Sequence, residues 1–138
     1  PDGTLLTTMY PRFKEDTAPC SYTPSMLKSR TIIVASKDKG QTWSYLSTVA
    51  ADTGVGKEGY GEPVLLRVTK GNHIGRVICM MRTGRDMYDS YSDDDGFTWS
   101  SPKAVRLDGI NIDDTKKWEN IFTGLPRVSA TMIGAPDS

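Results

Sequence analysis

Several kinds of chemistry are excluded by what this chain lacks. It has two cysteines, Cys20 and Cys79, in 138 residues. No C-x-x-C spacing exists, so zinc is not expected. Buried, free and paired states are all open to the two thiols, with the free state favoured. His73 is the single histidine. It lies in the turn-like run Lys70-Gly71-Asn72-His73 and is read as facing solvent. A Ser-His-Asp triad would have to use it, and no G-x-S-x-G elbow supports one. Charge of one sign is missing too, with 17 basic residues against 17 acidic. Without a basic stripe, nucleic acid is not an expected partner. No apolar run is long enough for a membrane-crossing helix, so no membrane partner is expected. No segment combines a helical period with caps, which points to an all-β chain. No signal peptide is visible, and the sequence starts at Pro1 rather than Met. The start is therefore read as processed or cloned, and the compartment stays open.

What the chain does have is an octapeptide used twice. Ser36-Lys37-Asp38-Lys39-Gly40-Gln41-Thr42-Trp43 returns as Ser92-Asp93-Asp94-Asp95-Gly96-Phe97-Thr98-Trp99, 56 residues later. Both read S-x-D-x-G-x-T-W, and a repeat at such a spacing marks stacked or radial modules. Each residue type has a physical job. Gly40 and Gly96 can take the positive φ that a tight strand-to-strand turn needs. Asp38 and Asp94 can accept hydrogen bonds from N–H groups within the turn, and the Ser and Thr hydroxyls can bond locally beside them. Trp43 and Trp99 open the returning strand and can lay an indole against the hairpin. Each motif is thus expected to be a hairpin clasp, a structural device rather than a catalytic one. The acidic run Asp93-Asp94-Asp95-Gly96 also suggests a calcium loop. The EF-hand pattern fails, because Tyr91 and Pro102 would fall at its first and twelfth positions. Adventitious cation binding by that turn is the weaker alternative.

Taken in order, alternation and turn signals give strands at Thr4–Tyr10, Arg30–Ala35 and Thr42–Ala50. Pro11–Ser29 is a long connection, and long connections in compact domains are often functional. After a Gly-rich loop, Ala51–Gly61, strands are expected at Glu62–Val68, Gly75–Met81, Met87–Ser92 and Trp99–Leu107. The first of these opens beside Pro63, a place where a strand tolerates proline. Residues 108–120 read as loop, and Leu125–Ile133 reads as one more strand. The count is three strands, then four, then one.

The doubled octapeptide resembles the Asp-box, or bacterial neuraminidase repeat, of the sialidase (neuraminidase) superfamily. The resemblance implies blades of a β-propeller, each a four-stranded antiparallel sheet. Blade 1 would run over about 3–50 and blade 2 over about 61–108, with the first strand of a third blade at 124–133. Two blades do not close a ring. Either the chain is a piece of a longer protein, or copies assemble as a homotrimer of six blades or another homo-oligomer. The implied function is a sialidase-like glycoside hydrolase, cleaving terminal sialic acids from a glycan, with no cofactor or metal. A secreted or periplasmic location goes with it. Non-enzymatic propellers carry the repeat as well. A non-catalytic carbohydrate-binding module and an inactive structural remnant are therefore the alternatives.

The resemblance continues through residues 61 to 105. Gly61-Glu62-Pro63-Val64-Leu65-Leu66-Arg67-Val68, then Lys70-Gly71, then Met80-Met81-Arg82-Thr83-Gly84 follow the family's order. By it, Glu62 is similar to the carboxylate that polarises a nucleophilic Tyr, and Arg82 to one of three arginines that bind the substrate carboxylate. Guanidinium suits bidentate carboxylate recognition, and sialidases are unusual glycosidases in using Tyr as nucleophile. An ion pair of purely structural use is the alternative for both. Asp16, or its neighbour Glu15, lies on a loop after Asp2-Gly3-Thr4-Leu5-Leu6, where the family keeps an acid/base Asp. Arg12 on that loop is a candidate ligand contact or a plain solvated charge. Tyr60 is a candidate for stacking on a sugar or for the core. The family's Arg-Ile-Pro segment, third arginine and nucleophilic Tyr have no match here, and Tyr88 and Tyr91 stand in the wrong place. One chain alone therefore does not hold a complete sialidase site.

Overall fold

A computed structural model describes residues 3–51, 54–84 and 86–105. They belong to the first of two compact units, Pro1–Val105; the second, Arg106–Ser138, lies outside the described residues. With it go the expected loop at 108–120, the expected strand at 124–133 and the end of the second repeat.

The all-β expectation holds. Among the described residues seven strands form two antiparallel sheets, and no helix occurs. Sheet one joins β1 (Leu5–Met9), β2 (Thr31–Ser36) and β3 (Ser44–Ala50) in chain order. Sheet two joins β4 (Gly61–Arg67), β5 (Val77–Arg82), β6 (Met87–Ser92) and β7 (Lys103–Ala104), also in chain order. The β-branched run Thr31-Ile32-Ile33-Val34 suits the central strand β2, which is buried along its whole length.

The sheets meet face to face. Ile33, Val49 and Ala50 of sheet one form one core with Cys79 and Met81 of sheet two and with Tyr60 between them. Leu6, Leu46, Leu65, Tyr88 and Trp99 pack against that core. The period-two alternation of strands decides which residues take part. In β1, Leu6 turns inward while Leu5, Thr7 and Met9 are exposed. Fully shielded side chains such as Ile33 and Met81 contribute about 2 kcal/mol each. Cys79 is also fully buried, and burial pushes its thiol up to about 12. Both cysteines are buried and free.

Each octapeptide folds as a hairpin clasp with the same bonds. Gly40 N–H and Gly96 N–H each donate to the serine Oγ at 2.8 Å. That Oγ in turn donates to Asp38 Oδ1 or Asp94 Oδ1 at 2.7 Å. The aspartates then accept the threonine N–H, at 2.9 and 2.8 Å, and the threonine Oγ1–H, at 2.5 and 2.6 Å. The indole N–H of Trp43 and of Trp99 donates to the glycine carbonyl at 3.1 and 3.0 Å. Gly40 and Gly96 stand at φ of 89° and 91°, the left-handed region that a Cβ disfavours. This bonding holds both carboxyls at about 2, below the ordinary 3.8, because three local donors stabilise the charged form.

Two boundaries depart from expectation. Of the strand expected from Trp99 onward, the described residues keep only Lys103–Ala104 as β7. β4 begins at Gly61, and the ladder slips between Gly61 and Val64, so Pro63 sits in a bulge rather than at a strand start. The long connection 11–29 is not loose. A bridge pairs Pro19 with Leu27, and a second joins Ser29 to Gly59. The second approach is so close that a Cβ on Gly59 would lie 2.3 Å from the Ser29 carbonyl oxygen.

Candidate functional site

Glu62 and Arg82 come together. Arg82 closes β5, directly opposite Gly61 in the ladder, so the bulge that follows Gly61 brings Glu62 to its guanidinium. Arg82 Nη1 bonds Glu62 Oε1. Both side chains are about half exposed, 46% and 57%. Glu62 itself stands at φ 43°, a left-handed conformation that a β-carbon makes costly. Strain of this kind is of order 1 kcal/mol and concentrates at ligand sites. Glu62 and Pro63 also line a groove of about 350 Å³, with Thr8, Met9, Tyr10 and Pro11 on its other side. Thr8 Oγ1 donates to the Pro63 carbonyl at 3.3 Å across it.

Two residues that sequence reasoning missed complete the cluster. Glu58 Oε1 lies 3.2 Å from Arg82 Nη1, and its carboxylate also accepts a hydrogen bond from Tyr22 Oη. That bond raises the Tyr22 pKa, because the phenol is held in its protonated, donating form. Glu58 is held by the backbone around it. Lys57 N–H donates to the Thr83 carbonyl at 2.9 Å, and Ser21 N–H to the Lys57 carbonyl at 2.9 Å. These bonds tie both loops to the end of β5. Only the acidic and phenolic residue types hinted at Glu58 and Tyr22; their meeting depends on loop closure over 36 residues. The cluster Tyr22, Glu58, Arg82, Glu62 carries one guanidinium and two carboxylates.

The other expected residues lie elsewhere. Asp16 accepts two bonds from Arg30, at 2.8 Å from Nε and 2.6 Å from Nη2, and a third from Phe13 N–H at 2.6 Å. Arg30 stacks over the Phe13 ring at 4.3 Å. The Arg30 bonds lower the Asp16 pKa, because the guanidinium stabilises the carboxylate. Its neighbour Glu15 joins the same pair, 3.0 Å from Arg30 Nη2. Asp16 lines a separate groove with Lys28, Ser29 and Arg30, which shares no residue with the Glu62 groove. Its geometry is that of a loop tie. Arg12 is exposed, and its Nε donates to the Leu27 carbonyl at 2.6 Å, closing the same loop. Tyr60 corrects the stacking expectation. It is 3% exposed, in the core, edge-on to Tyr88 at 5.7 Å, out of reach of a sugar face.

The acidic turn of the second clasp is engaged throughout. Asp94 bonds inward as described, Asp93 takes a two-point pair from Arg76 at 2.7 Å, and Asp95 pairs with Arg67 at 2.6 Å. No group of three or more metal-ligating side chains occurs among the described residues.

No family model matches this chain, and no curated protein does. Among solved structures it is similar to a crystal structure of a protein of unknown function from Dyadobacter fermentans DSM 18053. The TM-score is 0.56 at 23% identity, over 80% of this chain and 27% of that one. The likeness is one of fold. The chain spans about a quarter of that protein's length.

Proposed function

We propose that the chain is a portion of a sialidase-like β-propeller and supplies one part of a sialoside site centred on Arg82 and Glu62. The observation that carries this reading is the meeting of the two side chains, 20 residues apart, at an open sheet end beside a groove, with Glu62 in a strained conformation. The clasp repeat and the pair of facing antiparallel sheets support the propeller part. In this reading Arg82 takes the carboxylate of a terminal sialic acid, and Glu62 accepts a proton from a phenol nucleophile. The remaining groups belong to further blades, from a longer chain or from other copies, a homotrimer giving six.

The electrostatics set a condition. Arg82 already faces two carboxylates, so an anionic ligand must displace one of them. The same excess of acceptors favours a second reading, a non-catalytic carbohydrate-binding module in which Glu58 and Glu62 accept sugar hydroxyls. Release of 4-methylumbelliferone from its sialoside and saturation-transfer NMR with sialyllactose and lactose separate the two. Turnover abolished by Arg82→Ala supports the hydrolase. Binding of both sugars without turnover supports the module. If Arg82→Ala changes only the unfolding midpoint and neither sugar binds, both readings fail and a structural remnant is left.

A further inference from the structure

Each sheet turns one face to the other and one face outward, and the outward faces are counterparts of the faces already joined. From this we infer that a second copy of the chain docks head to tail, sheet two of one copy on sheet one of the next. The inference rests on the sheet–sheet interface and not on the sugar chemistry proposed above.

The strand registers give the correspondence. Ser36 pairs with Leu5, and Ser92 with Val77; Val34 pairs with Thr7, and Ser90 with Cys79; Ile32 pairs with Met9, and Tyr88 with Met81. Relative to the clasps, Leu5, Thr7 and Met9 are therefore the counterparts of Val77, Cys79 and Met81, and Trp43 of Trp99. The members in sheet two are buried or packed on the core. The members in sheet one are turned out, and Leu5, Met9 and Trp43 are large exposed hydrophobics.

The other side of the joint matches in the same way. Within the chain, clasp two sits on Leu6 and Leu46, each 3.6 Å from where a Cβ on Gly96 would be. Trp99 Nε1 donates to Ser47 Oγ at 3.1 Å, and Ser47 Oγ donates to the Gly96 carbonyl at 2.5 Å. Leu6 pairs with Ala35 as Ile78 pairs with Tyr91, and Leu46 answers to Pro102 at the repeat offset. Ile78 and Tyr91 thus lie on the outward face of sheet two, where Leu66 of β4 pairs with Ile78 and Val64 with Met80 on the same face. Leu66 is 61% exposed. So the described residues hold one filled socket, one unseated clasp and one unfilled socket, in which the Arg76 guanidinium lies 3.8 Å over the Tyr91 ring. A contact between unlike surfaces repeats until it closes a ring or continues as a filament.

Two substitutions along the repeat define the new joint. Ser47 pairs with Ile33 as Lys103 pairs with Asp89. An ammonium then meets the indole of Trp43, a cation–π contact in place of a hydrogen bond. Asp89 enters with its opposite charge directly across the ladder.

Light scattering of the whole chain over a concentration series tests this, with Trp43→Glu to spoil the clasp and Leu66→Glu to spoil the socket. The unaltered chain is expected to exceed one chain mass. Each variant alone is expected to stay at one chain mass with an unchanged circular dichroism spectrum, since both positions are exposed. Mixed together, they are expected to form a species of two chain masses, because each keeps the face the other has lost. A chain that remains monomeric throughout overturns the inference. So does an assembly that survives both substitutions, or a mixture that stays monomeric.

Discussion

The two clasps agree to within 0.1 Å in the bonds from serine, aspartate, glycine, threonine and tryptophan that define them. Their surroundings do not agree. Trp99 is packed on the core and shares its N–H between Gly96 and Ser47, whereas Trp43 is 44% exposed. The variable positions differ as well, with Lys37 and Lys39 in the first clasp and Asp93 and Asp95 in the second, where Arg76 and Arg67 neutralise them. The octapeptide thus closes its hairpin by local bonding, and what it rests on is decided by the rest of the chain. A motif that folds by itself can be repeated without its neighbours being repeated.

The largest test of this contrast is truncation of the two indoles in a Leu66→Glu background, chosen so that the proposed docking of copies does not enter. Trp99→Ala is expected to cost about 3 kcal/mol, the low end for a large aromatic because the ring is partly buried. Trp43→Ala is expected to stay within about 0.5 kcal/mol. Urea unfolding reads both, and equal losses would erase the distinction. A smaller effect is expected at the seat of the docked clasp. Ser47→Ala removes the donor to the Gly96 carbonyl and one acceptor of Trp99, at about 1 kcal/mol, while Lys103→Ala at the repeat counterpart should be close to neutral. Ser47→Ala and Trp99→Ala should also fall short of additivity, because they remove one network.

Acid should reveal the sameness of the clasps rather than their difference. Asp38 and Asp94 lie at about 2 in the folded chain against an ordinary 3.8. Over that window the unfolded chain binds more protons, so stability rises with pH. The contribution is complete above the ordinary value and is lost as pH falls through about 2. Asp38→Asn and Asp94→Asn should each flatten the acid limb of the unfolding curve by a similar amount. A change confined to one of them would mean that the aspartates are set by their surroundings and not by the clasp.

The legible parts of this fold are the local ones. Alternation, and in β2 an unbroken apolar run, place β1 to β6 to within two residues of their observed ends, whereas β7 is only two residues long where a strand was expected from Trp99 onward. The clasps are legible because their bonds span four residues at most. Pro63 marked a strand start and proved to be a bulge, since sequence gives no sign of the ladder slip that turns Glu62 to a positive φ. The Arg82–Glu62 meeting was legible only through resemblance. Tyr22 and Glu58 reach the cluster through backbone ties between distant loops, and no periodicity encodes such ties. Asp16 and Tyr60 illustrate the opposite limit. Their residue types fit a site, but Arg30 and the core claim them.

Hydrogen exchange of the three indole N–H groups by NMR, assigned by single tryptophan substitutions in the Leu66→Glu background, compares the clasps most directly. The docked and open arrangement predicts that the Trp99 indole exchanges far more slowly than the Trp43 indole, and that restoring Leu66 slows Trp43 alone. Equal exchange of Trp43 and Trp99 in the Leu66→Glu background would contradict it.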